Sequence, residues 1–189
     1  MLRDLVLKNR SYRRFRPDVA LSANQLRGLV DLARLSASSA NKQPLKYLLS
    51  WTPDRNGVIF PHLKWAGYLE DWPGPAETER PAAYIVVLGD NTISKSFGYD
   101  CGIAAQSILL GAVAEGFGGC MLGSVKREQL RAALSIPEAL EILLVIALGA
   151  PAETVDIEEI GRDGSIKYWR DTDDVHHVPK RSLAEIVLD

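Results

Sequence analysis

Three arginines and a serine fall within six residues at Arg10-Ser11-Tyr12-Arg13-Arg14-Phe15. Guanidinium groups are planar forks of N–H donors that match a phosphate, and the serine hydroxyl adds one more donor. The competing use is local, with Lys8 and Arg10 complementing the C-terminal dipole of a short helix and staying solvated. Near the other end, Val178-Pro179-Lys180-Arg181 repeats the pattern with paired cations after a proline. If the two ends of the chain lie close, as they often do in one domain, both clusters converge on a single phosphate dianion. Several charge-assisted hydrogen bonds of about 1.5–3 kcal/mol each would then anchor it. A third segment, Ser38-Ser39-Ala40-Asn41-Lys42-Gln43-Pro44, carries hydroxyls and side-chain amides. They suit the edge of a ring that shows both donors and acceptors, and equally suit a helix cap and loop.

Other chemistries find little support. Gly116, Gly118, Gly119 and Gly123 follow an apolar run of helical type and lack the third glycine of G-x-G-x-x-G. A dinucleotide fingerprint is therefore rejected, and these glycines either end a helix or let backbone approach another flat object. His62, His176 and His177 are too few and too scattered for a metal site. Neither Cys101 nor Cys120 has the setting of a nucleophile, and no serine stands in G-x-S-x-G. A net charge of -2 gives no basic field for nucleic acid. The apolar stretch from Gly102 to Phe117 is too short and polar to span a bilayer. The opening residues lack the uninterrupted apolar core of a secretory leader. A cytoplasmic protein with reduced thiols is expected.

The elements that must position these groups follow from periodicity. Leu2, Leu5 and Val6 predict a short opening helix that runs into the basic segment. Ser22-Ala-Asn-Gln25 is a capping box, and Leu26, Leu29, Val30, Ala33 and Leu35 mark the apolar face of the helix behind it. Strands are expected at Tyr47–Trp51, Tyr84–Leu88 and Ile142–Leu148. Gly102–Phe117 is apolar on nearly every face and reads as a central buried helix, with Asp100 at its N-terminal end. Ser124–Leu134 is amphipathic. Residues 61–81, with four prolines and Trp65, Tyr68 and Trp72, read as an ordered excursion covering something. The tail from Asp156 looks loop-like. The whole chain, residues 1–189, reads as one α+β domain with a mixed sheet and a central helix.

In this order the motifs resemble the FMN-dependent nitroreductase family over most of the chain. They are Arg10-Ser11-Tyr-Arg13-Arg-Phe15, Ser38-Ser39-Ala-Asn41-Lys-Gln43-Pro44, the run from Asp100 into Gly-Phe-Gly-Gly-Cys-Met-Leu122-Gly123, Ala147-Leu-Gly-Ala-Pro151 and Val-Pro-Lys180-Arg181. The resemblance implies a nitroreductase-like α+β fold, a mixed sheet flanked by helices around a long central buried helix, in an intertwined homodimer. It implies FMN at the interface, with Arg10, Ser11, Arg13 and Lys180 or Arg181 on the phosphate and ribityl chain. Ser38, Ser39 and Asn41 would come from the partner chain, Gln43 would lie near the flavin, Asp100 near the ring, and the Leu122–Gly123 backbone beside flavin N5. Asn9 and Leu45 depart from the family pattern, where a further Arg and an aromatic residue are common.

The implied activity is hydride transfer from NAD(P)H as co-substrate, through FMN, to a small-molecule electron acceptor such as a nitroaromatic or quinone, with ping-pong kinetics. No protein acid–base pair, metal, nucleic acid or membrane is called for. The excursion at 61–81 would roof the active face, unless Trp65 and Trp72 pack on the chain's own core. A non-reductase flavin protein of the same fold (an FMN carrier, or a flavin-cleaving or dehalogenating relative) and a cofactor-free interaction protein are the alternatives.

Overall fold

A computed structural model describes residues 1–188. Its centre is a four-stranded antiparallel sheet of β1 (Leu45–Ser50), β2 (Ala83–Asp90), β3 (Gly118–Leu122) and β4 (Leu140–Gly149), in the order β1-β2-β4-β3. Six helices accompany it: α1 (Leu2–Lys8), α2 (Ala23–Leu35), α3 (Pro53–Ile59), α4 (Gly98–Ala114), α5 (Arg127–Leu134) and α6 (Leu183–Ile186). A second sheet of β5 (Val155–Glu159), β6 (Trp169–Arg170) and β7 (His176–Lys180) has the order β5-β7-β6. The α+β class is as expected. Parallel pairing is confined to β5 with β7 and to a bridge between Ser11 and Gly119 at the edge of the main sheet.

Side chains alternate across a strand, so one apolar strand can serve two cores. Ile85 and Val87 of β2 face Leu26 and Leu29 of α2 and Ile108 and Ala112 of α4. Tyr84, Val86 and Leu88 face the other way, toward Ile59, Leu63, Trp65 and Leu130. Burial on both faces explains the unbroken apolar run of β2. The predicted capping box opens α2, where Ser22 Oγ accepts from the Gln25 N–H and the Gln25 side chain accepts from the Ser22 N–H.

α4 begins four residues earlier than its apolar run, so Asp100 lies inside its first turn. One side of α4 is buried through Ala104, Ala105, Ile108, Leu109 and Ala112, while Tyr99 is 84% and Ile103 40% exposed. Burial all round, as the composition predicted, is not reached within one chain.

Three departures have local causes. α3 starts on Pro53, whose fixed φ and missing N–H suit a first helical position. β3 is built from Gly118-Gly-Cys-Met-Leu122, which reads as a helix stop. β5 and β7 are short polar strands half-open to solvent. Trp65 is 5% exposed in the second core, and Trp72 packs against that core with Arg170 stacked 4.5 Å from its ring. Both rings are thus occupied by the chain's own packing.

The basic segment lies along the open edge of β3 and across the end of β4. Tyr12 N–H donates to the Gly119 carbonyl at 3.1 Å, and Arg16 N–H donates to Ala150 at 2.8 Å. Close approach here requires glycine: a Cβ at Gly119 would sit 2.1 Å from the Ala147 carbonyl oxygen, and one at Gly118 would sit 2.5 Å from the Tyr12 ring.

Gly119→Ala is therefore expected to destabilise the fold by about 1–3 kcal/mol through forced backbone displacement. Gly28→Ala, in α2 with nothing near its added methyl, should instead stabilise by about 0.5–1 kcal/mol. Urea denaturation midpoints of the two variants check both signs.

Candidate functional site

Within the basic segment the three arginines behave differently. Arg14 is neutralised by Asp174 and Glu79. Arg10 and Arg13 form no ion pair among the described residues. Arg10 donates to the Val6 carbonyl at 2.7 Å, and its buried Nε has no partner. Arg13 reaches the Ser11 carbonyl at 3.2 Å and His176 Nε2 at 3.3 Å, with its guanidinium 4.9 Å from the centre of the Tyr168 ring. Two uncompensated positive charges therefore lie in one segment with the Ser11 hydroxyl.

A buried carboxylate holds that segment. The Glu153 side chain, 2% exposed, accepts the backbone N–H groups of Arg13 and Arg14 on one oxygen. Its other oxygen accepts from the Arg170 guanidinium at 2.7 Å. Glu153 thus grips the backbone of the segment and leaves the Arg13 side chain without a carboxylate.

Adjacent histidines on β7 have opposite surroundings. Arginine only donates, so His176 Nε2 accepts from Arg13 and its proton sits on Nδ1, which is buried without a partner. Burial first, and then the Arg13 charge, pull its pKa down to about 4, so the ring is neutral near pH 7. His177 instead stacks on Trp169 at 4.2 Å and meets Asp171 at 3.0 Å and Glu158 at 3.4 Å. The hydrogen bond to Asp171 leads in raising its pKa.

The expected meeting of the chain ends therefore occurs, but at His176 and Tyr168. Lys180 lies four strand residues beyond His176, about 13 Å away along β7. That exceeds a Debye length of about 8 Å at physiological salt. Arg181 is 3.5 Å from Glu185. No hydrogen bond or ion pair among the described residues joins Lys180 or Arg181 to Arg10 or Arg13.

The free edge of β3 continues from this cluster. Because Tyr12 bonds to the Gly119 carbonyl, strand alternation turns the N–H of Met121 outward as well. Leu122 is buried in the second core, whereas a Cβ at Gly123 would meet nothing within 4 Å. Arg127 donates to the Gly123 carbonyl at 3.1 Å and to the Ile142 carbonyl at 2.9 Å, which fixes the peptide that follows Gly123. One edge thus carries a cationic end and, just past the end of β3, a sterically open Gly123.

The Ser38–Gln43 loop is the third element. Asp100, 5% exposed, accepts from Ser38 Oγ and from the Ser39 N–H at 2.8 Å. Ser38 Oγ in turn accepts the Gln43 N–H at 2.9 Å. Ala40, Asn41 and Gln43 have φ of 49, 53 and 52°. Non-glycine residues there cost of order 1–3 kcal/mol each and persist only where the surroundings hold them. Both Asp100 oxygens take part, so Asp100 anchors the loop. Asn41 is exposed, and its side-chain amide has no partner among the described residues. The loop meets the first turn of α4, while Asn9 meets Gln106 about 9 Å further along that helix. No hydrogen bond or ion pair among the described residues joins the loop to the basic segment.

Residues 78–150 match the nitroreductase family model. They comprise β2, α4, β3, α5 and β4, and so include Asp100, Leu122 and Gly123. A protein of Archaeoglobus fulgidus provisionally named NADH dehydrogenase/NAD(P)H nitroreductase is 27% identical over 150 residues, which cover 75% of this chain and 81% of its own. The chain is thus similar to nitroreductases, with the family match running from just before β2 to just past the end of β4.

The fold agrees over nearly the full length. A nitroreductase family protein from Clostridium novyi NT aligns with a TM-score of 0.66 at 19% identity, covering 99% of both chains. A provisionally named nitroreductase from Exiguobacterium sibiricum 255-15, solved in complex with FMN, gives 0.67 at 17% identity over 81% of this chain and 89% of its own. In this chain, Glu153, Tyr168, His176 and Arg127 escaped sequence reasoning. Only the burial of Glu153 and His176 beside arginines distant in sequence distinguishes them, and no local spacing reports that.

Two outcomes follow from this geometry. Glu153→Gln, which removes the charge from a buried pair, should cost about 3–5 kcal/mol in urea unfolding. The second concerns pH. An unfolded histidine titrates near 6.5 and folded His176 near 4, so the stability tied to neutral His176 is complete above about pH 6.5 and is lost as pH falls toward 4. His176→Gln should flatten that acid limb in denaturation midpoints measured against pH. His177→Gln should remove a contribution of opposite sign, present below about 6.5 and lost as pH rises through its elevated pKa.

Proposed function

We propose that the protein is an FMN-dependent oxidoreductase that takes hydride from NAD(P)H and passes it to an electron-poor small molecule, a nitroaromatic or quinone, in two alternating half-reactions. The observation that carries this reading is the β3 edge, with two guanidiniums free of ion pairs at one end and a sterically open Gly123 at the other. Bound FMN supplies the hydride-accepting and hydride-donating ring, so the protein needs no acid–base pair of its own.

The residues fit such a cofactor. Arg10, Arg13 and the Ser11 hydroxyl match a phosphate dianion, and the buried, unpartnered Nε of Arg10 is a donor in want of an acceptor. Neutral His176 and the Tyr168 face steady Arg13 without cancelling its charge. The Gly123 N–H is offered to the ring edge, with the following peptide held by Arg127 and the preceding strand by buried Leu122. Ser39, Asn41 and Gln43 offer amides and hydroxyl to the ring from a second copy of the chain, while Ser38 and Asp100 keep that loop in shape.

Homodimer formation is supported by apolar surface left open in one chain. Leu2, Leu7 and Leu35 lie on the helices beside α4, with Tyr99 and Ile103 on α4 itself, and Ile186 and Leu188 extend the set at the C-terminal end. The 61–81 excursion borders the cofactor site through Tyr68, whose N–H donates to the Tyr168 hydroxyl at 3.3 Å. A cytoplasmic setting suits two cysteines that are both free thiols. Among the described residues no helix is long and apolar enough to cross a membrane.

The purified protein is expected to be yellow, and NADH or NADPH added without air should bleach its visible flavin band. Flavin that neither nucleotide reduces would overturn the reductase reading. Arg13→Ala should weaken FMN binding at least about tenfold, the low end for a lost charge-assisted bond, as read by equilibrium dialysis. Asn41→Ala should weaken it as well, and native affinity in that variant would remove the loop from the site.

A further inference from the structure

A second cleft, of about 390 Å³, opens on the opposite flank of the main sheet. Its volume is within the ordinary range for small-molecule sites. Aromatic walls come from three separate elements: Trp51 just after β1, Phe60 just after α3, and Tyr84 of β2. Tyr84 pairs with Ala147, and Ala147 with Cys120. Two strand spacings, about 10 Å, therefore separate this floor from β3. The cleft belongs neither to the β3 edge nor to the Ser38–Gln43 loop.

Its walls are preformed. Asn56 on α3 accepts from the buried Ser50 hydroxyl at 2.7 Å and donates to the Ala82 carbonyl at 2.8 Å. One amide thereby ties the helix to both neighbouring strands. The open question is Arg80. Its guanidinium sits 4.0 Å from the centre of the Phe60 ring at the lip of the cleft. Among the described residues it forms no ion pair and donates no hydrogen bond. A cation–π contact fixes the position of a guanidinium but leaves its in-plane N–H donors unused. Glu77 lines the same cleft and is also unpaired among the described residues. Its charge repels a second negative group, which limits an anionic ligand to one charge placed against Arg80.

We propose that this cleft binds a flat aromatic monoanion, a one- or two-ring carboxylate whose ring lies among Trp51, Phe60 and Tyr84 and whose carboxylate takes the free Arg80 fork. The proposal does not depend on the flavin reading. Calorimetric titration of the purified protein with 2-naphthoate should show saturable binding, and the uncharged 2-naphthalenemethanol should bind at least about tenfold more weakly. Arg80→Met, which keeps an apolar stem over Phe60, should reproduce that loss for naphthoate, while Arg80→Lys retains part of the affinity. Trp51→Phe should remove most of the accompanying tryptophan quenching. The assignment is overturned by an absence of saturation at about 1 mM ligand, by equal binding of the neutral analogue, by unchanged affinity in Arg80→Met, or by a shift of the visible flavin band on adding naphthoate, which would place the ligand on the cofactor.

Discussion

A single buried carboxylate determines how the basic segment is presented. Glu153 has almost no contact with water, so its charge must be met by donors inside the protein. It receives two successive backbone N–H groups and one guanidinium, and these come from two distant parts of the chain. The arrangement draws the segment at Arg13 and Arg14 against the start of the C-terminal region and locks Arg170 over Trp72. Since the backbone provides two of the donors, the Arg13 side chain keeps its full charge. A carboxylate that paired with Arg13 directly would have stabilised the same turn and cancelled the positive charge there.

The same economy of charge recurs nearby. A neutral histidine, an aromatic face and a backbone carbonyl surround Arg13, and none of them removes its positive potential. Arg14, one residue on, is fully paired and serves the fold. The alternation between a paired and an unpaired arginine separates scaffold from site within three residues. At the loop, Asp100 does for Ser38 and Ser39 what Glu153 does for Arg13 and Arg14, holding a turn whose left-handed residues would otherwise relax.

Much of this fold was legible in the sequence where local physics decides. The capping box of α2 is complete in four residues, and β2 and β4 announce themselves because burial on both faces leaves no polar interruption. β3 was not legible, because its glycines answer to Tyr12 and the Ala147 carbonyl, neither of which is a local neighbour. The phosphate-suited residues Arg10, Ser11 and Arg13 were recognisable by type and spacing. Their neighbour His176 was not, being 163 residues away from Arg13. Trp65 illustrates the converse: an aromatic residue in a proline-rich stretch invites a ligand role, yet its ring completes the core beneath β2. Asp100 was placed correctly in the fold, but its partners turned out to be the loop.

The outer rim of β3 has one more implication, for handling the molecule. Beyond Gly119 that rim presents the outward backbone amide of Met121 beside its exposed side chain, with neither a proline nor an inward charge to discourage another ribbon from docking. Stripped of whatever normally lies along it, the protein would be adhesive. Its solubility after flavin removal should then fall with protein concentration, through intermolecular strand addition starting at residues 121–123.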